Sequence, residues 1–308
     1  MRIAFVWDWE MKAIEQTVTW EDGLAAALKE LQNRGHTVDV YADTTEDIQH
    51  PYFMIQPIDA LMKADVILHW ADFTRPHAEP LKKLGIPMAI CFAGGATDGP
   101  TVGCFDHIFV ESEIYWAKLK ADGKPVSIAF GTNTDLFVPV TQPKVFDTIF
   151  PATFARWKRH QLYAEATQGL KSLAVGYMYD DHEQDCWQTC IDHGVTVLPH
   201  VSARVLHRLY AASKICVITS QSDGGSQRTV LEAMAMNMPV IVTDSDKFDW
   251  AAERIYRCDP NPQELRSYIN TLLDGEPDVN TRDFVVNNWS HINYADALEE
   301  ELLKLSHR

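Results

Sequence analysis

Strand-like and helix-like segments alternate along almost the whole chain, and the alternation starts twice. An apolar run at residues 3–7 is followed by residues 20–34, where Leu24, Leu28 and Leu31 recur at helical spacing. Thr19 is the expected N-cap there, and Gly35 stands just past the end. "HTVDVYA", "ADVILHW", "IPMAICFA", "FDHIFV" and "PVSIAF" repeat the strand pattern, with helical stretches at 76–84 and 114–121 between them. Such a rhythm predicts parallel strands joined by crossover helices. It breaks at "GTNTDLFVPVTQPK" (131–144), rich in turn formers and proline, and then restarts with "VFDTIF", "KSLAVGY", "VTVLPH", "KICVITS", "MPVIVTD" and "RIYRC". The fold class expected is therefore α/β, with two Rossmann-like domains facing each other across a cleft. The expected bounds are 1–138 and 139–280, with one amphipathic helix over 281–305 in a terminal segment, 281–308, that crosses back to the first domain.

Composition narrows the function. The 308 residues carry a net charge of −16, which disfavours nucleic acid and anionic lipid surfaces as partners. The apolar runs are strand-sized, so no transmembrane segment is expected, and "MRIAFVWDWEMK" reads as a first strand, not as a signal peptide. Six cysteines without a CxxC pair point to a reducing cytoplasm. The densest basic stretch is "ARWKRH" (155–160).

The most chemical segment is "SDGGSQRTVLEAMAMNMPVIVTDSD" (222–246). After the strand "KICVITS", Gly224 and Gly225 open a polar turn, and a helix is expected from about Gln227 to Met236. Asn237 suits the left-handed conformation at its end, and Pro239 forbids continuation. Glycines at a helix head leave backbone N–H groups open to an anion, and phosphate is the natural one. Glu232, among Val230, Leu231, Ala233 and Met234, needs a partner if buried, and a ribose diol supplies two donors.

These residues resemble the retaining glycosyltransferases of family 4. "RTVLEAMAMNMPVIVTD" is similar to that family's C-terminal signature, "IAFGTNTDLFVP" to its linker motif, and "FARWKRHQLYAEA" to its first C-domain helix. "VTVLPHVSARVLHRLYAASKICVITS" resembles the segment before the signature. The resemblance covers most of 129–274; the N-terminal half agrees only in pattern. It implies the GT-B fold and a metal-independent transfer of a hexose from a UDP- or GDP-sugar to a hydroxyl of a saccharide, protein or small molecule. The nucleotide sugar is then a substrate and no cofactor is expected. Carried over by residue, Lys158 answers to the donor-phosphate lysine and Glu232 to the ribose-binding glutamate. The backbone of Gly225, Ser226, Gln227, Arg228 and Thr229 answers to the diphosphate cradle. The family's arginine falls on Thr153, so Arg156 is taken as its substitute; Lys158 and Arg156 would stabilise the leaving diphosphate.

The chain also departs from the pattern. The glutamate that contacts the donor sugar falls on Gly224, with Asp223 beside it, and a histidine common in the first domain falls near Ala93. The early glycine loop is replaced by "WDWEMKAIEQTVTW". A catalytically impaired nucleotide-sugar-binding or scaffold homologue is therefore the alternative, and a sugar-nucleotide epimerase a third reading. Gly94 and Gly95, with Thr97, form a second candidate nest for the donor. His200 and Val201 are expected to read the base. Asp8 and Glu10 read as solvated acids in preference to acceptor contacts, His69 as a hydrogen-bonded core histidine in preference to a sugar contact, and "DDHEQD" (180–185) as helix-start acids in preference to a metal site.

Overall fold

A computed structural model describes residues 1–7, 21–42, 52–70, 75–92, 103–178, 184–221, 227–243, 246–251, 253–275, 277 and 279–307. The chain forms two units, Met1–Asn133 with Trp289–Arg308, and Thr134–Asn288.

The first unit holds β1 (Arg2–Val6), α1 (Gly23–Asn33), β2 (Thr37–Ala42), β3 (Ile55–Pro57), β4 (Val66–Trp70), α2 (Arg75–Lys82), β5 (Met88–Cys91), β6 (His107–Val110), α3 (Glu113–Ala121) and β7 (Val126–Ile128). Its sheet has the order β3-β2-β1-β4-β5-β6-β7, and every neighbouring pair is parallel. Side chains alternate across it, so Phe5, Leu68 and Ala89 enter a core with α1 on one face, while Val6, Ile67 and Ile90 enter a second core on the other. The sequence pattern misses β3, a three-residue edge strand whose "IQP" has neither an apolar run nor alternation. Helix α1 starts later than its periodicity suggests because Asp22 caps it, accepting from the Ala25 N–H at 3.0 Å; Thr19 lies outside the described residues.

The second unit contains β8 (Phe146–Pro151), a 3₁₀ turn (Arg156–Lys158), α4 (His160–Thr167), β9 (Ser172–Val175), α5 (Gln184–Asp192), β10 (Thr196–Leu198), α6 (Ala203–Ala211) and β11 (Ser213–Ile218). It continues through α7 (Gln227–Ala235), β12 (Val240–Thr243), β13 (Tyr256–Cys258), α8 (Pro262–Asp274) and α9 (Arg282–Asn288). The sheet order is β10-β9-β8-β11-β12-β13, again all parallel. Helix α7 ends where expected, with Asn237 at φ 52°.

The terminal segment is two helices where the sequence reading has one. Ser290 interrupts it with a capping box, its hydroxyl accepting from the Asn293 N–H while the Asn293 side chain accepts from the Ser290 N–H, and α10 (His291–Ser306) starts there. Helix α9 packs on α7 in the second unit, whereas α10 packs on α1 in the first. The division after Asn133 places residues 134–138 with the second unit. Arg282 holds them there, its guanidinium donating to the carbonyls of Phe137 at 2.7 Å, Ala235 at 2.9 Å and Thr134 at 3.0 Å.

Within the first unit the chain segments at 131–132 and 289–290 run against each other, joined by a bond from the Thr132 N–H to the Trp289 carbonyl at 2.8 Å. A side-chain carbon on Gly131 would stand 2.5 Å from the Ser290 carbonyl oxygen. Gly131→Ala is therefore expected to lower stability by about 1–3 kcal/mol in denaturant titration, as overpacked interiors do. A variant as stable as the parent protein would show that the two segments separate easily.

Candidate functional site

Parallel sheets open a crevice beyond the carboxyl ends of their strands where the strand order reverses. In the second unit that place lies between β8 and β11. The segments that follow these two strands are bonded together there. The Thr219 hydroxyl donates to the carbonyl of Lys158 at 2.7 Å and, more loosely, to that of Arg159 at 3.2 Å. The Gln221 N–H donates to the Trp157 carbonyl at 2.9 Å. The 3₁₀ turn carrying Lys158 is thus fixed to Thr219 and Gln221, which follow β11. Lys158 is 8% exposed, a low value for an ammonium-bearing side chain. Arg159 follows it at φ 56°, a left-handed conformation that non-glycine residues seldom adopt and that is often retained at functional positions.

Glu232 lies in α7, 4% exposed. Its Oε2 accepts a hydrogen bond from the Tyr210 hydroxyl at 3.0 Å, and that hydroxyl also reaches the Thr229 carbonyl at 3.3 Å. Tyr210 comes from α6 and is fully buried; burial first, then the Glu232 charge, pushes its phenol well above the ordinary range, so it remains a donor. The partner that a carboxylate in this apolar helix requires is therefore supplied in part by the protein itself, a contact that sequence spacing does not reveal.

Lys158 and Arg156 occupy different surroundings. Arg156 is exposed and lines a groove of about 730 Å³ with Arg159, Asp185 and Pro262, at the starts of α4, α5 and α8, and Lys158 is not among the lining residues. Asp223, Gly224, Gly225 and Ser226 lie outside the described residues, as do Gly94, Gly95, Ala93, Asp8, Glu10 and residues 180–183. Of the cradle, the described part is the head of α7, with Arg228 and Thr229 in its first turn. Among the described residues, no group of three or more His, Cys, Asp or Glu is placed to hold a metal, and no helix is long and apolar enough to cross a membrane.

Two buried histidines were not foreseen as unsatisfied. His160, which opens α4, lies between Phe154 (ring centroids 4.6 Å apart) and Phe150 (4.8 Å). His69, in β4, is a core residue but not a hydrogen-bonded one. Neither ring nitrogen of either residue has a hydrogen-bond partner. Burial is the main cause that pulls both imidazoles down to about 3. An unfolded chain takes up these protons near pH 6.5, so between about 6.5 and 3 it binds protons that the folded chain refuses. Stability is therefore expected to fall with pH across that window by about 1.4 kcal/mol per unit for each histidine. Denaturant titrations across it check this, and His160→Phe removes its share of the slope; an unchanged slope contradicts a neutral buried His160.

Residues 147–275 match the family described as glycosyl transferases group 1. No curated protein sequence matches the chain. Among solved structures, the chain is similar to sucrose-phosphate synthase from Thermosynechococcus elongatus, with a TM-score of 0.77 at 16% identity over 99% of this chain and 98% of that one. It is similar to HepE from Anabaena, solved with UDP and glucose, with a TM-score of 0.75 at 15% identity over 99% and 100%. A glycosyltransferase from Rickettsia africae gives 0.71 at 15% identity over 99% and 98%. At these identities the likeness is one of fold, and it extends over both units. Within the second unit, residues 147–275 thus match the group 1 glycosyl transferases, and the fold of the chain is that of the GT-B glycosyltransferases.

Proposed function

We propose that the protein transfers a hexose from a UDP- or GDP-sugar to a hydroxyl acceptor, with retention of configuration and without a metal. The observation that carries this reading is the bonding of the Lys158 turn to Thr219 and Gln221 at the β8–β11 switch point, in the sequence leading to α7. In this reading the backbone at 225–229 receives the diphosphate and the Lys158 ammonium balances the charge that develops as it leaves. Glu232, held by Tyr210, accepts from the ribose hydroxyls. Arg156 and Arg159 add positive charge at the same strand edge. HepE, solved with UDP and with UDP-glucose, is a precedent in fold for such a donor.

The test is incubation with UDP-glucose and other UDP- and GDP-sugars, with and without saccharide acceptors, followed by NMR of the anomeric proton of the product. Retained configuration is expected, together with slow hydrolysis when acceptor is absent; an inverted product contradicts the mechanism. Gly224, in place of the glutamate of the resembled family, favours a second reading, a binder of nucleotide sugars without turnover. Tight donor binding with neither hydrolysis nor transfer would select it.

A further inference from the structure

The groove of about 730 Å³ that Arg156 lines lies apart from the donor site of the second unit. Right-handed crossovers that leave a parallel sheet in opposite directions put their helices on opposite faces. From the β8–β11 switch point, α4 leads to β9 on one side and α7 leads to β12 on the other, so these two helices cover different faces. The groove belongs to the α4 face, where α4 packs against α5 and α8, and its described lining includes neither Lys158, Glu232 nor any residue of α7. Its volume falls within the roughly 300–1,000 Å³ usual for small-molecule sites. The lining offers three kinds of chemistry. Arg156 and Arg159 bring two guanidinium groups into a chain of net charge −16, and the Arg156 guanidinium has no hydrogen-bond or ion-pair partner among the described residues. Such planar forks match the oxygens of a phosphate. Glu165 and Asp185, both exposed, carry oxygens that accept from hydroxyl groups. Pro260 and Pro262 add aliphatic surface, which suits the C–H face of a sugar ring. His160 lines the same groove; it is 1% exposed and neither ring nitrogen has a partner, so the most deeply buried polar group of the lining is unsatisfied.

We propose that this groove is a second small-molecule site, one that takes a phosphorylated sugar, with Arg156 and Arg159 on the phosphate and Glu165 and Asp185 on the ring hydroxyls. The two arginines then touch this ligand, and only their field reaches the donor. Calorimetry on the full chain tests the assignment, with glucose 6-phosphate, mannose 6-phosphate and fructose 6-phosphate as probes and inorganic phosphate and glucose as controls. Each titration is run with and without a saturating nucleotide, UDP or GDP, whichever binds. At least one sugar phosphate is expected to bind about tenfold or more tightly than either control, and to bind equally well when the nucleotide is present. Thr189→Trp adds a large side chain to the lining from α5, and is expected to weaken that sugar phosphate about tenfold or more while nucleotide affinity stays unchanged. Arg156→Gln, a change at an exposed side chain that keeps the fold, is expected to weaken it about tenfold by removing a charged donor. No binding of any sugar phosphate at about 10 mM, its displacement by the nucleotide, inorganic phosphate binding as tightly, or an affinity that neither variant lowers overturns the proposal. A parent protein that binds no nucleotide defeats the donor reading instead, and the two variants then decide the groove alone.

Discussion

Lys158→Ala is expected to lower kcat/KM for the nucleotide-sugar donor by about 10²- to 10³-fold, the usual range for removing one preorganised group from a developing anion. The expectation follows from how the residue is held. Its carbonyl accepts from Thr219 at 2.7 Å, and the turn that carries it is bonded again through Gln221 to Trp157, so the backbone is fixed on both sides of the side chain. A preformed cation needs no reorganisation as the diphosphate departs. The loss should appear in kcat as well as in KM, because the charge being balanced is greatest in the transition state. Lys158→Arg is expected to recover only part of the rate, since a planar guanidinium does not fill the place of a compact ammonium. Steady-state kinetics on the two variants measure this. A Lys158→Ala enzyme with ordinary kcat would remove the residue from the chemistry.

Glu232 gives the second large effect, and its variants separate binding from folding. Glu232→Ala strips the Tyr210 hydroxyl of an acceptor in a fully buried position, so a stability loss of about 1–3 kcal/mol is expected in addition to lost nucleotide affinity. Glu232→Gln keeps an oxygen for Tyr210 and should restore much of the stability. Without the charge, however, the hydrogen bonds to ribose hydroxyls weaken, and affinity for the nucleoside diphosphate is expected to stay at least about tenfold below that of the parent protein. Calorimetry for affinity and denaturant titration for stability check the two halves independently. A glutamine variant that binds nucleotide normally would show that the carboxylate serves α6 and α7, not a ribose.

Much of this architecture is legible in the sequence because parallel strands buried on both faces read as apolar runs, and runs such as "KICVITS" and "MPVIVTD" announce themselves. What escapes is decided by few residues or by distant ones. The three-residue β3 has no pattern to detect. The break between α9 and α10 rests on a capping box whose neighbours continue the helical periodicity, so Trp289, Tyr294 and Leu298 look like one stripe. Glu232 is conspicuous as a carboxylate among apolar residues, whereas Tyr210 is its partner only once α6 and α7 pack together. Arg156 and Lys158 are two apart in sequence, and both are read there as stabilising the leaving diphosphate. The 3₁₀ turn that carries them leaves one exposed on the groove and the other buried. His69 looks like an ordinary core histidine because the lack of a hydrogen-bond partner is a property of the packed interior.

The central claim is that the second unit holds a nucleotide-sugar donor at the β8–β11 switch point, where the Lys158 turn is bonded to Thr219 and Gln221. Its most direct test is isothermal titration of the parent protein, Lys158→Ala and Glu232→Gln with UDP, GDP and their sugars. The account predicts that one nucleotide series binds the parent protein, that Lys158→Ala loses diphosphate affinity, and that Glu232→Gln loses nucleoside affinity while remaining folded. Absence of binding by any of these ligands at millimolar concentration, or binding that neither variant weakens, would contradict it.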